Sequence, residues 1–436
     1  MKVLIVGSGG REHAIAHQLL QSPEVKQIFC IPGNGGTATL PRCRNFAMSM
    51  TDFEGIARLA GVQGVALVVI GPEQPLAEGI TDYLRQQQLT VFGPTQAGAQ
   101  LEASKSWAKD LLLEAGVPTA QAATFTDSEA ARAYIAQQGA PIVVKADGLA
   151  SGKGAIVAPT LEAALAAVEN LWTQGHRKLV IEEYLEGEEL SVFALTDGKT
   201  ARLLVPAQDH KRIGEGDIGD NTGGMGAYAP APLGTPALLA QVEQTVIQPT
   251  VQALAKRGLD YRGVLYAGLM VTPDSEIKVL EFNCRFGDPE AQVVLPLLAT
   301  PLHRVLLACA RQELEQLPPL EWHPGFAVCV VAASEGYPGE FAKGRVIRGL
   351  EAAATAESLV FQAGTRRQGQ ELFTSGGRVL AVTGLGETLP AAVERAYRGM
   401  QAIEFEGMYY RRDIAWRALP AQGSATPRPV APPPSP

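Results

Sequence analysis

MKVLIVGSGGREHAIAHQLL, residues 1–20, begins with an apolar run and continues into a helical pattern. Val3–Val6 is apolar and stops at the glycines of 7–10, whereas Arg11–Gln21 carries its apolar side chains on one helical face. A strand that passes through a glycine-rich turn into a helix is the first half of a βαβ unit. The sequence therefore predicts that the chain opens with a parallel sheet joined by right-handed crossovers.

The same alternation continues to about residue 100. Val25–Ile31, Val65–Ile70 and Thr90–Phe92 are apolar runs, and each stops at a pair made of Gly and Pro. In an open parallel sheet, ligands bind beyond the carboxyl ends of the strands. We therefore expect a binding site at the edge where these runs end.

Length and charge bound the class of protein. The chain has 436 residues, enough for two to four domains at roughly 100–200 residues each. Its 37 Lys and Arg against 45 Asp and Glu give a net charge of −8, and 46% of its residues are hydrophobic. Such a chain is too hydrophobic to be wholly disordered, and it lacks the basic surplus of a general nucleic-acid binder. An acidic protein that acts on anionic substrates must gather cationic side chains locally or recruit metal ions.

The apolar runs and the cysteines predict the location of the protein. No run approaches the ~20 residues of a membrane span, and Met1–Val6 is too short for the apolar core of a signal peptide. The five cysteines are widely spaced without a CxxC, so neither a disulfide framework nor a structural zinc site is expected. These features predict a reduced cytoplasmic protein with buried thiols.

The pattern changes after about residue 100. Helical periodicity marks Ser104–Ala115 and Leu161–Leu171, and the predicted strands are Ile142–Lys145, Ala155–Ala158, Leu179–Tyr184, Val264–Val271, Ile277–Phe282, Ala327–Ala332 and Val379–Thr383. The two runs within 264–282 are expected to pair antiparallel. Residues 207–228 have the polar, glycine-rich composition of a disordered linker, although the DHKR at 209–212 favours a substrate loop. Residues 421–436 contain six prolines and predict a disordered tail.

Three glycine-rich segments could cradle a phosphate: Gly7–Glu12, Lys145–Gly154 and Gly214–Gly226 within the possible substrate loop. Gly7–Glu12 joins a strand to a helix, but a dinucleotide fingerprint needs glycine where Glu12 stands and an acid at the end of the second strand. A phosphate held near Arg11 and a merely tight turn both remain open. Lys145–Gly154 lacks the Walker spacing, so it is either a flap that folds over a triphosphate or an ordinary hairpin with a lysine.

Glu281-Phe282-Asn283-Cys284-Arg285-Phe286-Gly287-Asp288 is the most informative segment for chemistry. On a strand, Glu281, Asn283 and Arg285 share one face, and the residues between them share the other. Carboxylate and amide oxygens suit Mg²⁺, which binds hard ligands together with phosphates and water. An arginine beside them can neutralise a transferring phosphoryl group. We interpret the segment as a metal and phosphate site rather than as a structural salt-bridge strand.

Eleven stretches match one known family in order. They are GSGGREHA (7–14), PGNGGT (32–37), GPEQPL (71–76), FGPT (92–95), LEASK (101–105), VKADGLASGKG (144–154), EEYLEGEELS (182–191), AQDHKRIGEGDIGDNTGGMGAY (207–228), EFNCRFGDPE (281–290), ASEGYPG (333–339) and TSGGRVLAVT (374–383). Through them, residues 1–418 resemble the phosphoribosylamine–glycine ligases, which are ATP-grasp enzymes of purine biosynthesis. The resemblance implies an α/β fold: a Rossmann-like parallel-sheet domain at 1–103, an ATP-grasp domain at 104–325 with a mobile lid subdomain at about 122–190, and a strand-rich α/β domain at 326–420.

The resemblance also implies a reaction. ATP would phosphorylate the carboxylate of glycine, and the amine of 5-phosphoribosylamine would attack the glycyl phosphate to give glycinamide ribonucleotide, ADP and phosphate. The implied cofactors are ATP and Mg²⁺ or Mn²⁺, and the implied partners are these small molecules, with no nucleic acid and no membrane. We expect a monomer. Two anions must meet in this reaction, so a metal ion and cationic side chains have to offset their repulsion.

The family's motifs assign nucleotide contacts. Lys105 and Lys145 would bind the ATP phosphates, Glu182 would accept a hydrogen bond from the adenine amino group, and Glu189 would bind the ribose hydroxyls. The residues that would hold the adenine ring beside Glu182 are Glu183, Tyr184 and Leu185. The residues of the lid loop that would close over the phosphates are Gly148, Ser151, Gly152, Lys153 and Gly154.

The same motifs assign the metal, catalytic and substrate residues. Glu281 and Asn283 would ligate the metal ion, and Arg285 would clamp the transferring phosphate. The catalytic set implied is Arg285, Lys145, Asp209 and Lys211. The glycine site would comprise Asp209, Lys211, Asp220, Asn221, Thr222, Arg285 and Asp288. The phosphoribosylamine site would comprise Gly9, Gly10, Arg11, Glu12, Asn34, Gly35, Gly36 and Glu73. Many ATP-grasp enzymes carry another acidic metal ligand one strand earlier, and this sequence departs from that pattern with Ala267-Gly268-Leu269.

Three other functions remain open on the residues alone. Another ATP-grasp carboxylate–amine ligase or a biotin-dependent carboxylase would keep 182–189 and 281–285 but differ in the 209–228 loop. A Rossmann-type dehydrogenase is disfavoured by the missing third glycine and ribose acid. A non-catalytic binding module would not need a metal-ligand strand together with a lysine flap.

Overall fold

The computed structural model describes residues 1–149, 154–355 and 357–419. Its N-terminal region is a five-stranded parallel sheet with strand order β3-β2-β1-β4-β5, as predicted. The elements are β1 (Lys2–Gly7), α1 (Gly10–Leu20), β2 (Gln27–Pro32), β3 (Cys43–Asn45), α2 (Phe53–Gln63), β4 (Leu67–Ile70), α3 (Glu73–Ala77), α4 (Ile80–Gln86) and β5 (Val91–Phe92). Val3–Val6 is fully buried, because helices cover both faces of a parallel sheet.

A smaller sheet with its own apolar core follows. The elements are α5 (Gln96–Ala103), α6 (Lys105–Ala115), β6 (Ala122–Phe125), α7 (Ser128–Gln138), β7 (Ile142–Ala146), β8 (Ala155–Ala158), α8 (Leu161–Thr173) and β9 (Leu179–Glu183). The strands pair antiparallel in the order β6-β9-β7-β8, and we call them the small sheet. Its core, around Ile135 and Val168, is separate from the larger cores of the molecule.

Helix α6 shows how local sequence sets an element. The Ser104 side chain accepts a hydrogen bond from the Trp107 N–H at 3.2 Å and caps the helix start. Gly116 has φ of +66° and ends the helix in the left-handed conformation that glycine adopts without strain. The predicted bounds of this helix are confirmed within one residue.

In its described part, the remaining chain builds two large sheets and two minor ones. The elements are β10 (Glu188–Thr196), β11 (Ala201–Leu203), β12 (Gln208–Asp209), β13 (Arg212–Gly214), β14 (Ile218–Asn221), β15 (Gly226–Ala229), α9 (Pro236–Val242), α10 (Gln248–Lys256), β16 (Gly263–Val271), β17 (Ile277–Asn283), α11 (Ala291–Val294), α12 (Leu302–Arg311), β18 (Phe326–Ser334), β19 (Val346–Ile347), α13 (Leu350–Thr355), β20 (Ser358–Gln362), β21 (Thr365–Gln368), β22 (Glu371–Thr374), β23 (Arg378–Gly386), α14 (Leu389–Gln401) and β24 (Met408–Tyr409). The central sheet has the order β11-β10-β16-β17, and β16 and β17 pair antiparallel as predicted. The C-terminal sheet has the order β12-β15-β18-β23-β20, with β24 beside β18. The two minor sheets are β13-β14 and β19-β22-β21.

Residues 207–228 are ordered, so they are not the disordered linker that their composition resembles, and a substrate-binding role for the loop stays a prediction. Strands β13 and β14 form a hairpin, while β12 and β15 join the C-terminal sheet, where β15 pairs with β18. Four short paired strands satisfy the backbone of a segment whose composition shows no hydrophobic period. The segment therefore links the middle of the chain to its C-terminal sheet.

The predicted strand position of Arg285 is wrong. Strand β17 ends at Asn283, so Arg285 lies in the loop after the strand rather than on it.

The tail at 421–436 lies outside the described residues. None of the described helices is both long and apolar enough to cross a membrane. The domain boundaries at 103, 325 and 420 stay predictions.

Candidate active site

One large cavity, of about 720 Å³, draws its walls from every region of the fold. Arg11 and Glu73 come from the N-terminal sheet, Lys145 from the small sheet, Glu281 from the central sheet and Arg378 from the C-terminal sheet. The acidic chain thus gathers cationic side chains at one place, as its charge balance required.

Glu182 balances two buried lysines in the wall of this cavity. Lys145 Nζ lies 2.8 Å from Glu182 Oε2, and Lys109 Nζ lies 3.2 Å from Oε1. Val143 on β7 is opposite Glu182 on β9, so Lys145 and Glu182 are diagonal neighbours on one face of the small sheet. Burial lowers the pKa of Lys109 despite this carboxylate.

Lys105 ties the start of α6 to the loop after β7. Its Nζ donates to the Gly148 carbonyl at 2.8 Å. Asp147, one residue earlier, accepts from the Ser106 hydroxyl at 2.6 Å and pairs with Lys178 at 3.1 Å. Burial lowers the pKa of Lys105, although Glu281 and Asp147 oppose that shift.

Arg285 is held by two carboxylates. It lies 3.1 Å from Glu73 and 2.6 Å from Glu102, and it donates to the Asn283 Oδ1 at 3.2 Å. Burial opposes its charge, but Glu102 and Glu73 more than offset that cost and raise the pKa of Arg285. Burial also opposes the ionised form of Glu73, yet Arg285 and Arg11 outweigh it and lower the pKa of Glu73 to about 2.

The Glu281 side chain lies near several cationic side chains without forming an ion pair with them. Its carboxylate lines the cavity and makes no hydrogen bond or ion pair with any residue in the described ranges. Burial raises its pKa, but Lys211, Lys145, Lys105 and Arg285 outweigh burial and lower the pKa overall. An ionised carboxylate with open oxygens is the donor that a hard cation needs.

The oxygen donors fit a magnesium ion that is completed by other ligands. Glu281 and Asn283 offer a carboxylate and an amide oxygen at the same wall. Across residues 1–149, 154–355 and 357–419, no three His, Cys, Asp or Glu side chains come together as a metal cluster. A magnesium ion commonly takes one or two carboxylates and fills its shell with phosphate oxygens and water.

Asp209 and Lys211 form the floor of the cavity with three other polar groups. Lys211 pairs with Glu189, and the Tyr266 hydroxyl donates to Glu290 at 2.7 Å. Burial, assisted by Glu290 and Glu189, outweighs Lys211 and raises the pKa of Asp209 to about 7. Burial opposes the charge of Lys211, but Glu189 and Asp209 raise its pKa well above the usual range.

The glycine-rich N-terminal loop reaches the cavity through Arg11. Its Nη1 donates to the Phe286 carbonyl at 3.0 Å, and its Nε pairs with Glu12 at 2.6 Å. The Arg11 N–H donates to Asp288 at 3.3 Å, and Arg378 Nη1 lies 3.4 Å from the same carboxylate. Arg378 and Arg11 outweigh burial and lower the pKa of Asp288.

The structure brings together most of the residues predicted for the site. Those that line the cavity are Arg11, Glu73, Lys105, Lys145, Gly148, Gly154, Glu182, Glu183, Tyr184, Leu185, Glu189, Asp209, Lys211, Asn221, Thr222, Glu281, Asn283, Arg285 and Asp288. Ser151, Gly152 and Lys153 lie outside the described residues. A position in the cavity wall does not by itself give a residue a binding or catalytic role, so the roles of all these residues stay predictions.

Several predicted substrate residues do not line the cavity. They are Gly9, Gly10, Glu12, Asn34, Gly35, Gly36 and Asp220. Glu12 is buried and accepts from the Gly9 N–H, which caps α1. Asn34 donates to the carbonyls of Ser8 at 2.9 Å and Gln362 at 2.7 Å. The Glu12 and Asn34 side chains hold the loops in place. Direct contact between substrate and any of the seven residues stays a prediction.

Sequence reasoning missed several residues that line the cavity. They are Glu102, Lys109, Asp217, Tyr266, Glu290, Arg378 and Arg417. Glu102, Glu290 and Arg378 fall within the LEASK, EFNCRFGDPE and TSGGRVLAVT motifs, so motif membership was a signal for them. Arg417 pairs with Asp217 at 2.7 Å and donates to the Asp209 carbonyl at 3.1 Å, and nothing in its local sequence marked it.

Three family descriptions match consecutive parts of the chain. They are "Phosphoribosylglycinamide synthetase, N domain" at residues 1–102, its "ATP-grasp (A) domain" at 103–291 and its "C domain" at 327–417. The chain belongs to the phosphoribosylglycinamide synthetase family. The predicted family is therefore confirmed.

Comparison with individual proteins supports the same family and fold. The phosphoribosylamine–glycine ligase of Nostoc sp. is 60% identical over 423 residues, which are 96% of this chain and 99% of that one. The crystal structure of the Thermotoga maritima phosphoribosylamine–glycine ligase matches with a TM-score of 0.82 and 35% identity, over 95% of this chain and 100% of that one. These matches confirm the predicted α/β fold class.

A more distant likeness shows the fold alone. The biotin carboxylase domain of the Hydrogenobacter thermophilus 2-oxoglutarate carboxylase, a complex with MgADP and bicarbonate, matches with a TM-score of 0.70 at 18% identity. It covers 94% of this chain and 91% of that one. The synthetase family and this carboxylase domain therefore share an architecture over most of their length.

Proposed function

We propose that the protein uses ATP to join glycine to 5-phosphoribosylamine, giving glycinamide ribonucleotide, ADP and phosphate by way of glycyl phosphate. The observation that carries the proposal is the meeting of Lys105, Lys145 and Arg285 with the open carboxylate of Glu281 in one cavity. Cations at that place suit a triphosphate, and the open carboxylate suits a metal ion. The names of the relatives support the choice of substrates.

In this proposal, the nucleotide binds between the small sheet and the central sheet. Lys105 and Lys145 contact its phosphates, while Tyr184 and Leu185 follow the end of β9 and hold the adenine. Glu182 keeps the ammonium group of Lys145 in place through their ion pair at 2.8 Å. If Glu182 also accepts a hydrogen bond from the adenine amino group, its carboxylate must bind that group and Lys145 at the same time.

Glu281 and Asn283 would hold Mg²⁺, which lowers the repulsion between two anions when it is bound. Arg285 would contact the phosphoryl group as it passes to the carboxylate of glycine. Because ion pairs with Glu73 and Glu102 hold the guanidinium in position, Arg285 needs little reorganisation during the transfer. Use of Mn²⁺ instead of Mg²⁺ stays a prediction.

In the proposal, Asp209 accepts the proton of the attacking amine. An amine that attacks an acyl phosphate must lose a proton as the carbon–nitrogen bond forms, and the base works best when its pKa is near the working pH. The pKa of Asp209 is raised to about 7, and its carboxylate faces the cavity without a hydrogen bond from any described residue. Lys211, which carries the opposite charge beside it, would orient the carboxylate of glycine.

The phosphate of phosphoribosylamine would bind beside Arg11 and Arg378. The backbone N–H of Arg11 and the guanidinium of Arg378 both contact Asp288, so the two residues lie on the same side of the cavity. The small sheet would cover the reacting groups, because an acyl phosphate must be kept from water.

The test is ADP release from ATP and Mg²⁺, with glycine and phosphoribosylamine supplied together and then each omitted. Because phosphoribosylamine is unstable, it is formed in the assay from ribose 5-phosphate and ammonia. Release that requires both substrates is the expected result. Release with other acids or amines but not with this pair would refute the substrates proposed. A monomeric state and a cytoplasmic location stay predictions.

A further inference from the structure

Two cysteines lie side by side in the N-terminal sheet, away from the cavity. Cys30 is on β2 and Cys43 is on the edge strand β3. Cys43 is opposite Ile28 in the parallel register, so Cys30 and Cys43 are diagonal neighbours on one face. Their Sγ atoms are 3.7 Å apart. A disulfide needs a separation of about 2 Å, so the two sulfurs, and the edge strand β3 with them, must move closer for the bond to form.

The two thiols differ in exposure and in acidity. Cys30 is fully buried, whereas Cys43 is half-buried at the edge of the sheet. The contact with Cys43, together with burial, raises the pKa of the Cys30 thiol. The same contact and a hydrogen bond from the Arg44 backbone lower the pKa of the Cys43 thiol. A reactive thiol is one that is accessible and partly ionised, which singles out Cys43.

We propose that Cys30 and Cys43 are a site of reversible oxidation, at which a low-molecular-weight disulfide such as oxidised glutathione drives formation of a Cys30–Cys43 bond. The thiolate of Cys43 attacks one sulfur of the oxidant, whose disulfide bond breaks and releases one thiol. The thiolate of Cys30 then attacks Sγ of Cys43 and releases the second thiol. The protein loses two hydrogens and two electrons, and the oxidant gains them as two thiols.

The remaining cysteines lack this arrangement. Cys284, Cys309 and Cys329 are buried, and none contacts another thiol within the described residues. Burial raises the pKa of each of these thiols, which disfavours the thiolate. Oxidation by a small disulfide should therefore be confined to the pair.

The crosslink would close the short loop between β2 and β3 without touching the cavity. Neither cysteine lines the cavity, so the oxidised protein should keep its rate of ADP formation. A crosslink restricts the unfolded chain and stabilises the folded one. The oxidised protein should therefore unfold at a higher temperature than the reduced protein.

The experiment treats the reduced full-length protein with oxidised glutathione, blocks free thiols and counts them after unfolding. We expect loss of two of the five thiols and a mass decrease of about 2 Da, both reversed by a dithiol reductant. Trypsin cuts after Lys26, Arg42 and Arg44, so the bond should join the peptide 27–42 to the dipeptide 43–44.

Two variants make the result specific. Cys43→Ser should lose no thiol pair and gain no thermal stability, while Cys309→Ala should form the same crosslink as the unmodified chain. The proposal is overturned if all five thiols persist, or if a stable glutathione adduct remains on Cys43 while Cys30 stays free. It is equally overturned if Cys43→Ser still loses two of its four remaining thiols.

Discussion

The ammonium group of Lys145 lies 2.8 Å from the carboxylate of Glu182, and Lys109 approaches the other oxygen of that carboxylate at 3.2 Å. One acid thus balances two buried cations in the wall of the cavity. The family's motifs assign Lys145 to the phosphates of ATP and Glu182 to its adenine. The ion pair couples the two assignments, because a change at Glu182 also changes the charge that Lys145 meets.

Glu182→Gln should strongly destabilise the protein. The substitution removes the carboxylate that forms ion pairs with both buried lysines, Lys109 and Lys145, and breaking a buried pair typically costs roughly 3 kcal/mol or more. Glu183→Gln is the matched control, because its partly exposed pair with Lys278 should contribute less than about 1 kcal/mol. Urea unfolding followed by circular dichroism measures both. Equal losses in the two variants would contradict the coupling.

Glu281→Gln should abolish turnover and leave the fold intact. The amide weakens magnesium binding, and a loss of several kcal/mol of charge stabilisation lowers the rate by roughly two orders of magnitude or more. ADP release is measured as a function of Mg²⁺ concentration, with thermal unfolding as the check on folding. Glu276→Gln, an exposed position on the turn before β17, should behave like the unmodified chain. Full activity of Glu281→Gln at low Mg²⁺ would defeat the metal assignment.

Asp209→Asn should separate the two halves of the reaction. Glycyl phosphate can be trapped with hydroxylamine, a nucleophile that needs no base from the protein. We expect the variant to keep hydroxamate formation while product formation from phosphoribosylamine falls roughly 10²–10⁴-fold. Equal loss of both would assign Asp209 to the binding of glycine instead.

The raised pKa of Asp209 also predicts how the rate of product formation depends on pH. With a pKa of about 7, Asp209 binds its proton in acid and becomes a base as the pH rises. The rate of product formation should therefore increase through about pH 7, and this limb should vanish in Asp209→Asn. Because the pKa is raised on folding, ionisation of Asp209 also removes stability as the pH rises through 7.

Glu73 should contribute stability that is lost in acid. Its pKa is about 2 in the folded protein against an ordinary 4.5, so the contribution is complete above pH 4.5 and disappears as the pH falls towards 2. The shift corresponds to at most about 3 kcal/mol. Glu73→Gln should be less stable at pH 7 and should lose less stability between pH 4.5 and 3. Glu78→Gln, exposed beside the same helix, should retain the acid dependence of the unmodified chain.

Arg11→Ala should raise the KM for phosphoribosylamine roughly ten- to a hundredfold, because one charge-assisted contact to the phosphate is lost. The KM for ATP should stay the same, since Arg11 lies on the opposite side from Lys145 in the proposed arrangement. Arg58→Ala, exposed on α2, is the control. An unchanged KM for phosphoribosylamine would move the phosphate to other cations such as Arg378.

Much of the fold followed from local patterns. The helix at 104–115 and the antiparallel pair within 264–282 depend on neighbours within a few residues or on one turn, and both are confirmed. The strands in 207–228 were not predicted because the composition of the segment carries no period. Strand β15 pairs with β18, about 100 residues later, and β12 pairs with β15, so long-range pairing orders this part of the segment.

The sequence by itself determined the family, the fold class and many of the residues that line the cavity, because motifs and periodicity are contained in short stretches of chain. Tertiary structure alone decided which of those residues face the cavity and which support it. Arg285 meets Glu73 across 212 residues of sequence, and Asn34 reaches Gln362 across 328. Such pairs form only when burial in a common core brings distant strands together, and no local pattern encodes that distance.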